Sequence, residues 1–76
     1  MNKSRRLRID ALISKLEAIA EEIEVLKDEE EDAFYNLPDS LQYGEKGEAM
    51  EDAITNLDDA FTYINDAIDY LTEATN

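Results

Sequence analysis

The chain has 76 residues, with twenty Asp and Glu against seven Lys and Arg, no histidine, no cysteine and a formal net charge of −13. A chain this short seldom buries enough apolar surface alone, and lacking both cysteine and histidine it has no disulfide, no ordinary zinc site and no thiolate or imidazole chemistry. No stretch of about 18 apolar residues is present, so neither a membrane span nor a secretory signal is predicted, and the expected compartment is the cytosol.

The charge is unevenly distributed. Residues 1 to 15 hold five basic side chains and one acid, whereas residues 16 to 76 hold nineteen acids against Lys27 and Lys46. An acidic surface of this kind repels nucleic acid, so no direct nucleic-acid partner is expected. The basic arm of Lys3, Arg5, Arg6 and Arg8 has two readings: a phosphate contact, or ion pairs with Asp66, Asp69 and Glu73 at the far end of the chain. The second is preferred, since an antiparallel hairpin brings those segments together.

From Ile9 onward apolar residues recur at alternating steps of three and four: Ile9, Leu12, Leu16, Ile19, Ile23 and Leu26, continuing through Glu30, Ala33 and Leu37. This is a heptad ladder with Ile9 at a and Leu12 at d, and it predicts a first helix over about residues 5–36 with Ser4 as N-cap. The block from Asp28 to Asp32 interrupts the ladder with five carboxylates. Only Glu30 falls on the expected seam, so most of the block is read as surface.

The segment from Leu37 to Gly47 contains the chain's one proline and both glycines and reads as a connector over about 37–46, with room for one helical turn. Phe34, Leu37 and Leu41 are expected to close over Met50 as a staple. The alternative makes Tyr35, Leu41 and Tyr43 exposed binding contacts.

The ladder resumes in a second helix over about 47–74, with Met50, Leu57, Ile64 and Leu71 at a and Ala53, Ala60, Ala67 and Ala74 at d. Antiparallel pairing then sets Leu16 on Ala67 and Ile23 on Ala60, with Glu30 on Ala53. These layers alternate with Leu12 on Leu71, Ile19 on Ile64 and Leu26 on Leu57, so large meets small and then large meets large.

The apolar stripe of the second helix is wider than one facing helix covers, because Ile54, Phe61 and Ile68 lie at e and Tyr63 and Tyr70 at g. Phe61, Tyr63, Ile68 and Tyr70 are therefore candidate dimer contacts. The fold expectation is all-α: an antiparallel two-helix hairpin forming one domain, which dimerises into a four-helix bundle.

Chemistry has little support in the residues. Ser4, Ser14 and Ser40 have no histidine to activate them, and Lys15 and Lys27 sit on open helix faces. Calcium needs a loop order that the connector lacks, and di-iron bundles need Glu-x-x-His. No catalytic, cofactor or metal site is expected. The candidate interaction face is acidic: Asp28, Glu29, Glu31, Asp32, Glu51, Asp52, Asp58, Asp59, Asp66, Asp69 and Glu73. Helices near 28 residues span about 40 Å. Over residues 16 to 76 that gives roughly one negative charge per 2.4 Å, against one per about 1.7 Å of duplex DNA.

The stretch "NLPDSLQYGEKGEAMEDAITNLDDA", Asn36 to Ala60, with "DEEEDAFY" before it, resembles a group of short acidic helical proteins encoded in bacterial prophages and phages. The resemblance implies a phage or prophage setting in the bacterial host cytosol. It carries no activity or functional residues across. The expected function is a small, non-catalytic protein-interaction module, with a basic host protein as its candidate partner beside the homodimer. The alternative is a DNA mimic that blocks a host nucleic-acid-binding protein of the defence or restriction type.

Overall fold

The computed structural model describes residues 1–76 and contains three helices and no strand: α1 (Lys3–Tyr35), α2 (Asp39–Gln42) and α3 (Glu45–Ala74). Asn2, not Ser4, is the N-cap of α1. Its backbone is extended, and its side-chain oxygen accepts a hydrogen bond from the Arg5 amide at 2.8 Å. Asparagine in that conformation satisfies one of the four amides that a helix start leaves unpaired, so Ser4 is drawn into the first turn.

Pro38 ends α1 as expected, since it cannot donate a backbone hydrogen bond and restricts Leu37 before it. The connector is one turn, α2, followed by α3 two residues ahead of Gly47. Gln42 closes this end. Its side-chain amide donates to the carbonyls of Phe34, Tyr35 and Leu37 at 3.2, 3.4 and 3.1 Å, the first of which also accepts from the Leu37 amide, so the acceptors at the end of α1 are gathered on one side chain. Gly47 is buried under the same turn: a Cβ there would stand 1.9 Å from the Gln42 carbonyl oxygen. The backbone of α2 lies against α3 only because that position has no side chain.

The molecule is a rod with extents of 58 × 14 × 12 Å. Helices α1 and α3 run antiparallel along it: Glu31 and Phe34 share a groove with Glu51 and Ile54, while Glu17 and Glu24 share another with Phe61 and Asn65. The expected register sets Lys27 across from Asn56. In the structure Lys27 reaches Asp58, an offset well within the span of a lysine side chain.

The rotation of α1 differs from the expectation more than its register does. Ile9, Leu16 and Ile23 at a are half-buried as expected, but the partners beside them are Ile13, Ala20, Lys27 and Phe34 at e. Leu12, Ile19 and Leu26, the expected d layer, are 49%, 45% and 52% exposed. The layer that the sequence sets against Leu57, Ile64 and Leu71 therefore lies at the margin of the seam and not at its centre. The cause lies in α3, whose e positions carry Ile54, Phe61 and Ile68, all half-buried. Facing those three side chains removes more apolar area from water than facing alanines does, so α1 rolls toward e while α3 keeps its a, d and e positions half-buried. Ala20, a small residue at e, is buried where Phe61 comes across, and this is where the large-on-small fit occurs.

Only Ala20, Phe34 and Gly47 are buried among the 76 residues. Ala53, Ala60 and Ala67 remain half-buried on the flank of α3 that carries the d positions. Of the expected staple, Phe34 is buried and Leu37 and Met50 half-buried, whereas Leu41 is exposed. No helix is long and apolar enough to cross a membrane.

Candidate acidic groove face

A helix turns about 100° per residue, so the roll toward e leaves the b positions of both helices on one long side of the rod and the d positions on the other. Two open grooves lie on the b side. The larger, about 260 Å³, is lined by Glu31, Phe34, Tyr35, Glu51, Ile54 and Thr55. The Phe34 and Tyr35 rings meet edge to face with centroids 5.3 Å apart. The second, about 210 Å³, is lined by Glu17, Ala20, Glu21, Glu24, Phe61 and Asn65. Each combines carboxylates with an aromatic ring, because e residues form the floor and b and f residues the walls.

Between the grooves Lys27 bridges the helices, its Nζ 3.3 Å from Asp58 Oδ1. The hydrogen bond that Lys27 donates to Asp58 raises the lysine above its ordinary pKa of 10.5, opposed by burial and helped by the charges of Asp58, Glu31 and Asp28. Lys27 is the one base in an ion pair in the structure. Lys3, Arg5, Arg6 and Arg8 are exposed and none lies within salt-bridge distance of Asp66, Asp69 or Glu73, so the expected pairing of the basic arm is overturned. The two segments lie on different helices at an open end of the rod, where a screened ion pair does not offset the entropy of fixing long exposed side chains.

The acidic candidates do not form one face. Glu31, Glu51 and Asp58 fall on the groove side, where the structure adds Glu17, Glu21 and Glu24. By the helical period Asp28, Glu29, Asp32, Asp52, Asp59, Asp66, Asp69 and Glu73 lie at f, g and c, around the outer sides. Their carboxylates do not converge, and no group of three or more is placed to hold a metal ion. Of the candidate dimer contacts, Phe61 and Ile68 are half-buried in the seam, while Tyr63 and Tyr70 are 71% and 78% exposed. Tyr35 and Tyr43 are exposed beside the connector.

The contribution of Glu17, Glu21 and Glu24 is visible only once the rotation of α1 is known. In sequence they are three of many helix acids; what distinguishes them is sharing a side with Phe61. Comparison with protein-family models, with curated proteins and with solved structures finds no match to this chain.

Proposed function

We propose that the protein is a non-catalytic, homodimeric interaction module whose groove face receives cationic side chains of a basic protein partner. The observation that carries this reading is the pairing of carboxylates with an aromatic ring in both grooves, Glu31 and Glu51 with Phe34 and Glu17 and Glu24 with Phe61. An arginine can lay its guanidinium plane or its methylenes on the ring while carboxylates take the N–H groups. The chain brings no histidine or cysteine to a reaction, and the grooves are open to water. A prophage or phage setting, from the resemblance around the connector, makes a bacterial host protein the natural partner.

The grooves are separated by the fourteen residues from Glu17 to Glu31, roughly 20 Å at 1.5 Å per residue. An extended peptide covers that span in about six residues. A peptide with two arginines six apart should therefore bind more tightly in calorimetry than one with adjacent arginines. The combined variant Glu31→Gln, Glu51→Gln should lose roughly tenfold in affinity. Binding that ignores the arginine spacing and the loss of both carboxylates would remove the reading.

The DNA-mimic reading has narrower support. A charge of −13 along 58 Å is one per about 4.5 Å, sparser than the one per about 1.7 Å of duplex DNA. Two rods side by side would halve that spacing, so mimicry is favoured only for the dimer. Displacement of a captured basic protein by duplex DNA would support it; displacement by basic peptide alone would support the groove reading.

A further inference from the structure

The side of the rod opposite the grooves has no partner of its own. Leu12, Ile19 and Leu26 form a line of exposed large aliphatic side chains one heptad apart along α1, and Ala60 and Ala67 lie on the same side of α3. This is not the surface proposed from the sequence, which included Phe61 and Ile68.

The edge of that face carries a charge pattern. The g positions of α1 read Arg8, Lys15, Glu22 and Glu29, two bases followed by two acids at one-heptad spacing. All four are exposed and none has a salt-bridge partner within the chain. Such an edge complements itself only when the second copy runs the other way. A two-fold axis beside Ile19 then sets Lys15 against the partner's Glu22 and Arg8 against the partner's Glu29.

From the Lys27 to Asp58 crossing, the level of Ile19 on α1 corresponds to the neighbourhood of Asn65 on α3. The same axis therefore lays Tyr63 near the partner's Ala67 and Tyr70 near the partner's Ala60, large on small. A face with extents of 58 by 14 Å is on the order of the ~800 Å² per partner of a standard stable interface.

We propose that the face bearing Leu12, Ile19 and Leu26 binds a second copy of this chain through a two-fold axis at Ile19, with α1 antiparallel to the partner's α1 and the bases of each g edge on the acids of the other. The proposal rests on the homodimer reading and specifies its interface. It leaves both groove faces on the outside of a four-helix assembly, available to basic partners.

The experiment is sedimentation equilibrium on the full chain and on charge variants at one fixed salt concentration. Wild type should sediment at twice 8.7 kDa. Lys15→Glu and Glu22→Lys should each weaken dimerisation roughly tenfold, since each alters two symmetry-related pairs, and the double exchange should restore it. In a chain without cysteine, Ile19→Cys should give a disulfide-linked dimer on mild oxidation, because the axis places residue 19 beside its own copy, while the charge exchange distinguishes this antiparallel pairing from a parallel one. A wild type that stays monomeric at every concentration would sink the homodimer reading together with the interface. A dimer indifferent to both charge changes, or one in which Ile19→Cys forms no cross-link, would sink the interface and leave the homodimer standing. Circular dichroism of each variant separates lost association from lost helix.

Discussion

At Gly47 an ordinary rule reverses. Replacing a glycine inside a helix by alanine normally stabilises by about 1 kcal/mol, because alanine restricts the unfolded chain. Here the added methyl would stand 1.9 Å from a backbone oxygen of α2, a clash that no side-chain adjustment relieves. Gly47→Ala should therefore destabilise by about 1 to 3 kcal/mol in urea unfolding. The same substitution at Gly44, where the nearest atoms are 3.7 Å away, should cost much less. Gln42 supports the same joint, and Gln42→Ala removes the donor shared by the Phe34, Tyr35 and Leu37 carbonyls, of which only the Phe34 carbonyl keeps the Leu37 amide, at about 1 to 2 kcal/mol. Glycine and glutamine in a polar connector read as generic turn residues; their roles depend on the close approach of α2 to α3.

Lys27 has a pH signature of its own. Its pKa is raised in the folded protein, so its stabilising effect is complete below the ordinary value of 10.5 and is lost as pH climbs through the raised value. The stability difference between wild type and Lys27→Met should thus be constant through neutral pH and should close in strongly alkaline solution. A difference that vanished on acidification instead, with the alkaline limb flat, would mean that the lysine acts through its methylene stem.

At the scale of the helices, periodicity and rotation are separate matters. Heptad spacing located both long helices and the connector from Ile9 to Ala74, because a three-four repeat of apolar residues is a property of one chain segment. Which neighbour of a joins the seam depends on the residues across it, and here Phe61 and Ile54 draw e inward ahead of d. Phe34, buried at e beside the connector, should make this visible: Phe34→Ala should cost about 3 kcal/mol or more in thermal unfolding, while Leu26→Ala should cost well under that in the monomer. Equal costs would favour the a/d seam over the observed one.

At the scale of the whole molecule, a rod of two long helices with three buried residues has little interior to hold it together. A net charge of −13 adds self-repulsion, which mobile ions screen. Its melting temperature should rise with ionic strength from ~10 to ~150 mM, and association through the uncovered face should make it rise with protein concentration as well. A melting temperature unaffected by concentration would show that the hairpin alone accounts for the stability.

The order of elements, the all-helical class, the position of the turn and the overall acidity were determined by the amino-acid sequence alone. Each follows from local periodicity, from Pro38 or from a count of charges, and none needs to know what lies across the seam. The tertiary structure alone decided that Leu12, Ile19 and Leu26 turn outward, that Glu17 and Glu24 share a groove with Phe61, and that the basic arm stays unpaired. The physical reason is that helix rotation answers to the sum of areas buried on both partners, a quantity that exists only once two surfaces meet.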